Sequence, residues 1–176
     1  MYMKFIEYII FKNYIIFVFL NNILYFLYFP MIKNSNLYQM KTLSDLTIMH
    51  ELDNKKEFEL IYVTLSYKLN YRFFSFLICN KEDLILSLSN IYLNAAWLER
   101  EIWDLFGIKF IFHKDLRRIL TDYGFIGHPL LKLYPLMGFI ELRYDDLLNK
   151  IIQESIELSQ AYRFYTYINP WWKWYN

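Results

Sequence analysis

The sequence predicts an α+β fold: a mixed β-sheet packed with helices, followed by a long irregular segment. Three observations predict it. Residues 37–79 contain β-rich runs whose apolar side chains alternate, the period of a strand. Residues 22–33 and 94–106 place apolar residues at helical spacing. All four glycines (Gly107, Gly124, Gly127, Gly138) and four of the six arginines (Arg100, Arg117, Arg118, Arg143) fall between Glu99 and Asp145. Glycine supplies backbone angles that other residues adopt at a cost, and arginine supplies a planar fork for carboxylates and carbonyls. A chain poor in both has concentrated them in one segment.

The elements follow in chain order. Residues 14–19 read as a buried strand. Asn22 is a potential cap for a helix to about Lys33, with Ile23, Phe26 and Leu27 on one face and Pro30 as a complication. Asn34-Ser35-Asn36 is a turn signal. Residues 37–52 form a first β-rich run, irregular at Ser44-Asp45, and residues 53–56 read as a hairpin turn. Residues 58–69 place Phe58, Leu60, Tyr62 and Thr64 on one face and Glu59, Ile61, Val63 and Leu65 on the other, so both faces are apolar and the strand is central. Asn70 is a short turn into residues 71–79, which makes an antiparallel meander. In the second helix, Asn94 is placed to cap, and Ala95, Leu98, Ile102 and Leu105 form the buried stripe. Glu99, Arg100, Glu101 and Asp104 occupy the remaining surface, and Gly107 stops the helix in a left-handed turn. The division expected is an α+β core over residues 1–112 and a docking segment with a C-terminal arm over residues 113–176.

Composition narrows the function. A chain of 176 residues with net charge +1 shows no Lys/Arg stripe, which argues against duplex binding. The single cysteine, Cys79, excludes a disulfide scaffold and any CxxC metal site; its apolar neighbours indicate a buried strand thiol. Aromatics reach 22% and alanine occurs three times. Those biases match an AT-rich genome such as an organellar one, so exposed rings are weak signs of a ligand platform. Residues 13–29 are uncharged and about long enough to cross a bilayer. Asn13, Asn21, Asn22 and Pro30 favour the globular reading; the alternative is a membrane-anchored interaction protein. Neither a transit peptide nor a secretory cleavage site is visible, so a mitochondrial version is expected to be made inside the organelle.

No catalytic constellation emerges. Glu99, Glu101 and Asp104 read as a solvated or partner-facing helix face, with Arg100–Asp104 as an i,i+4 pair. His113 and His128 have no metal-ligand spacing, and His50 reads as structural. Ser155 and Ser159 lack triad partners. Gly124-Phe125-Ile126-Gly127 lacks the spacing of a phosphate loop; 122–124 and 127–129 read as back-to-back turns. A long irregular segment without catalytic groups implies protein docking.

The segment Asn94–Glu101 through Tyr144-Asp145 resembles the 30 kDa subunit family of NADH–quinone oxidoreductase, respiratory complex I. The resemblance rests on Glu99-Arg100-Glu101, Phe106-Gly107-Ile108, Asp115-Leu116-Arg117-Arg118-Ile119-Leu120, Asp122-Tyr123-Gly124-Phe125, Gly127-His128-Pro129-Leu130 and Arg143-Tyr144-Asp145. Gln160-Ala161-Tyr162-Arg163-Phe164 and Asn169-Pro170-Trp171 look like the family's ending. Lys114, Leu131 and Leu133 depart from its usual proline, arginine and aspartate, and the two leucines suggest a more apolar neighbour. The resemblance implies a scaffold without iron–sulfur cluster, flavin or other cofactor, and without an active site or metal of its own. It implies a place on the matrix side of the mitochondrial inner membrane, packed against the 49 kDa type quinone-site subunit. The partner-binding residues it suggests are Glu99, Arg100, Arg117, Arg118, Asp122, His128, Arg143, Tyr144, Arg163 and Trp171. The equivalent subunit of a membrane-bound hydrogenase is the alternative. For the C-terminal arm two readings diverge. Leu148, Ile151, Ile152, Ser155, Ser159 and Tyr162 share a helical face over residues 146–163. Relatives place proline at the position of Ser155, which favours extended backbone over 152–157, held by a partner, with Trp171, Trp172 and Trp174 as anchors.

Overall fold

The computed structural model describes residues 8–11, 14–19, 22–50, 57–163 and 165. They form two compact units, Met1–Tyr134 and Pro135–Asn176. The first contains a five-stranded sheet. Its strands are β1 (Tyr8–Phe11), β2 (Tyr14–Phe19), β3 (Thr42–His50), β4 (Phe58–Ser66) and β5 (Tyr71–Cys79), in the spatial order β1-β2-β5-β4-β3. β4 pairs antiparallel with both β3 and β5, while β2 runs parallel to β5. The sheet is therefore mixed, and the fold is α+β as expected. The 53–56 turn lies outside the described residues.

The β4 pattern holds. Phe58, Leu60, Tyr62, Thr64 and Ser66 are all buried, and β4 lies inside the sheet. The irregularity at Ser44-Asp45 is a shift of register between Leu43 and Asp45, the signature of a bulge. Asn70 turns the chain with φ +54, a left-handed conformation that asparagine tolerates. Cys79 is fully buried.

Helix α1 (Asn22–Asn34) runs through Pro30, which removes one backbone hydrogen bond. Its packing face differs from expectation. Tyr25, Tyr28, Phe29 and Ile32 are buried, Phe26 is only half-buried, and Leu27 is exposed. The helix is apolar nearly all round, so periodicity had no polar side to mark. Ring shape decides instead: Tyr25 lies 4.9 Å from Phe29 and 4.8 Å from Tyr62 between centroids. Among the described residues no helix is long and apolar enough to cross a membrane.

Helix α2 (Ala95–Phe106) packs beside β3. Asn94 does not cap it: the side-chain amide instead donates to the Leu43 carbonyl. Two short parallel strands, β6 (Ile85–Leu86) and β7 (Phe110–Ile111), flank the helix in sequence and bring Ser87 and Leu88 beside it.

The second unit holds an antiparallel hairpin, β8 (Ile140–Asp145) and β9 (Lys150–Ser155). Extension through Ser155 is thus observed in place of the helix that periodicity favours. Within the chain, β9 pairs with β8. The Asp145 carboxylate accepts the Leu147 and Leu148 N–H groups, and Asn149 has φ +49. This turn chemistry fixes the hairpin register.

Candidate protein-docking site

Residues 113–134 follow α2 without regular structure. Their path is set by groups on the helix itself. Asp104 is completely buried, contrary to the expected surface position. Its Oδ2 accepts the N–H groups of Ile119 (3.1 Å), Leu120 (2.7 Å) and Thr121 (2.9 Å), and its Oδ1 accepts the Thr121 hydroxyl (2.6 Å). Burial alone pushes this carboxyl up. The Thr121 hydroxyl and the three amides outweigh it and hold Asp104 below its ordinary value. The Arg100–Asp104 pair does not form. The nearest guanidinium to Asp104 belongs to Arg118, with Nε 3.7 Å from Oδ1.

Arg118 then fixes the far side of the loop. It donates to the carbonyls of Phe125 (2.9 Å) and Gly127 (2.7 Å), so one fork bridges the two successive turns. These are the 122–125 turn, closed from Phe125 N–H to the Asp122 carbonyl, and the 128–131 turn, closed from Leu131 N–H to the His128 carbonyl. His128 faces its own chain. Its Nδ1 lies 2.9 Å from the Asp104 carbonyl and donates to it, while Leu130 N–H bonds the Leu105 carbonyl at 3.1 Å. Two end carbonyls of α2 that would otherwise lack a partner are thereby satisfied.

Gly107 is needed twice. Its φ is +82, and a Cβ there would lie 2.6 Å from the His128 ring. His50 adds a further tie: its ring stacks on Phe58, and its Nδ1 accepts the Lys132 N–H.

Glu99 is also completely buried and also contradicts the expected surface face. Its oxygens meet the Ser87 hydroxyl (2.5 Å) and the Leu88 N–H (2.7 Å), and His113 Nε2 lies 3.8 Å away. Burial raises its pKa to about 7, against the opposing pull of Ser87 and Leu88. His113 Nδ1 accepts the Asp115 N–H, which leaves the proton on Nε2, beside the Ala96 carbonyl.

The remaining candidates divide by exposure. Arg100 stacks on Trp97 and donates to the Arg117 carbonyl at 3.1 Å. Arg117 is exposed and pairs with Asp115 at 2.7 Å. Asp122 is exposed, its carboxylate accepting the next N–H. In the second unit Arg143 forms a two-pronged pair with Glu154 at 2.9 and 3.2 Å, and Tyr144 and Arg163 are exposed. Trp171, Trp172 and Trp174 lie outside the described residues. The first unit therefore brings together Arg118 and His128 around Asp104, with Glu99 further along the same helix and Arg100 beside Arg117. Thr121 and Gly107 belong to this set. Sequence reasoning gave Thr121 no role, and it treated Asp104 as a surface residue.

Outward from this frame stand Leu120, Tyr123, Ile126, Leu130 and Leu133, all exposed. Leu131 packs against the chain's own core, while Leu133 points out. A stretch locked from within by buried charges presents large apolar side chains to its surroundings.

A family model described as the 30 kDa subunit of respiratory-chain NADH dehydrogenase matches residues 26–139. NADH-ubiquinone oxidoreductase subunit 9 of Reclinomonas americana is 42% identical over 140 residues, covering 80% of this chain and 69% of that protein. The subunit of the same name from Acanthamoeba castellanii is 45% identical over 142 residues, covering 81% and 72%. In fold, the chain is similar to one in the solved structure of a membrane-bound sulfane sulfur reductase, an archaeal respiratory membrane complex. That likeness has a TM-score of 0.57 and 20% identity, and covers 69% of this chain and 72% of the other. The class so defined is a respiratory-chain complex I subunit. Within it, this chain belongs to the 30 kDa subunit family.

Proposed function

We propose that this protein is a non-catalytic scaffold of the peripheral arm of mitochondrial NADH:ubiquinone oxidoreductase. It sits on the matrix side of the inner membrane and holds the 49 kDa type quinone-site subunit in place during electron transfer coupled to proton translocation. The observation that carries this reading is the loop of residues 113–134. Its backbone is fixed from within by Asp104, Arg118 and His128, while Leu120, Tyr123, Ile126, Leu130 and Leu133 face outward. Rigid, pre-ordered apolar surface loses little entropy on association. Within this reading Glu99, Arg118 and His128 shape the surface. Arg100, Arg117 and Asp122 supply polar contacts around it, and Arg143, Tyr144 and Arg163 of the second unit make partner contacts of their own. The composition supports an organelle-encoded subunit, and the family relation supports the complex.

Arg118→Ala tests the reading. It removes the fork that bridges the two turns, at a cost of about 3 kcal/mol. The amount of assembled complex should fall, while NADH:ubiquinone turnover per assembled complex stays at the wild-type level. Normal assembly with lost turnover would refute the scaffold role.

A further inference from the structure

A cleft of about 490 Å³ opens in the first unit, where the end of α1, the start of β3, the end of β4 and the entry to α2 converge. Lys33, Lys41, Thr42, Ser44, Tyr67 and Asn94 supply its polar lining, and among the described residues no carboxylate lines it. Lys33 is half-buried. Its ammonium donates to the Ile91 carbonyl and lies 4.9 Å from the centroid of the Tyr92 ring. Both are neutral groups, and neither Lys33 nor Lys41 has an ion pair among the described residues. Lys33 also stands in the last turn of α1, where helix carbonyls attract it; Lys41 has no such local reason. The N-terminal end of α2 borders the same cleft through Leu93 and Asn94, with no acidic residue in its first turn.

We propose that this cleft is a socket for an acidic side chain of a neighbouring subunit, with the Lys33 and Lys41 ammonium groups as its walls. Charge complementarity selects an anion, and the local donors select a carboxylate. The Ala95, Ala96 and Trp97 N–H groups are already bonded to the carbonyls of Tyr92, Leu93 and Asn94. Those three amides are occupied and do not cradle a phosphate. Two ammonium groups and the Ser44 hydroxyl suit a single carboxylate at the mouth. The inference rests on the subunit role proposed above, because it requires a neighbour.

The test compares the intact native assembly with the free full-length chain. Amine acetylation read by peptide mass spectrometry should label Lys33 and Lys41 about tenfold less in the assembly. Carbodiimide coupling should join Lys41 or Lys33 to an Asp or Glu of another subunit. Lys41→Glu and Ser44→Asp should each lower incorporation about tenfold, and Lys41→Arg should retain it. Equal labelling in both states, or coupling to no carboxylate of another subunit, overturns the socket. Protection of the free chain by inorganic phosphate overturns the carboxylate assignment. Unprotected lysines in a chain present at full occupancy break the socket alone. A chain missing from the assembly breaks the subunit reading and the socket with it.

Discussion

The two buried carboxylates of α2 sit five residues apart and respond to burial in opposite ways. Asp104, at the C-terminal end, receives three backbone N–H groups and a hydroxyl, and is held below its ordinary pKa. Glu99, in the first half, receives one hydroxyl and one N–H, and burial raises it to about 7. Both side chains are removed from solvent, so exposure does not separate them. The number of donors that follow the charge inside does. The C-terminal half of α2 anchors an irregular loop with an ionised group, while the N-terminal half holds a carboxyl close to its neutral form inside the core.

Removing each group probes the contrast. Asp104→Ala should have the largest effect, destabilising the full chain by about 3–5 kcal/mol, because it strips three amides and a hydroxyl of their acceptor and leaves Arg118 unopposed. Urea unfolding measures the loss, and hydrogen exchange should rise at Ile119, Leu120 and Thr121. A loss confined to a few tenths would show that the loop is held by other contacts.

Glu99 should set a pH dependence of the opposite sense. Below about pH 4.5, its ordinary value, the carboxyl is protonated in both states and contributes no slope. As pH rises, the unfolded chain releases the proton first, so stability declines until about pH 7, where the folded chain releases it too. The whole span corresponds to at most about 3 kcal/mol. Asp104, being lowered, contributes stability at neutral pH that is lost as the solution becomes acid. Glu99→Gln should therefore flatten the decline between those limits and leave the acid side unchanged. An undiminished decline in the variant would show that Glu99 is not its source.

Gly107→Ala sharpens the comparison at the boundary between helix and loop. The left-handed backbone and the His128 ring both oppose a methyl group, and the expected loss is about 1–3 kcal/mol. Thermal melts should show it. In a His128→Ala background, which carries its own loss, the further cost of Gly107→Ala should shrink to the part due to φ.

Much of the fold was legible in the sequence, for reasons the elements make plain. Alternation marks β4, since its inward residues meet helices. Helical spacing and Gly107 mark the limits of α2. Ser44 reads as irregular because it breaks the alternation where the bulge falls. What was not legible depends on long-range partners. Glu99 and Asp104 look like surface residues because hydrophobic patterning cannot distinguish a carboxylate facing water from one facing donors eleven to twelve residues back, as for Glu99, or fifteen to seventeen residues on, as for Asp104. The face of α1 was hidden by its uniform apolarity. The β8–β9 hairpin was hidden by a helical spacing that the Asp145 and Asn149 turn overrides. Of the candidate site, the segment itself was readable from its glycine and arginine content. The role of each charge was not, and Arg118 turned out to hold the loop while Arg117 beside it faces out.

The most direct test of the account is the double change Tyr123→Asp and Ile126→Asp at the outer surface of the loop. Both side chains are exposed, and neither forms part of the Asp104–Arg118–His128 frame. The full chain should unfold at the wild-type urea concentration, because surface substitutions away from such features cost within about 0.5 kcal/mol. Assembled complex, quantified by native electrophoresis, should drop sharply, with turnover per remaining complex unchanged. A doubly substituted chain that assembles at the wild-type level would contradict the claim that this loop is the docking face.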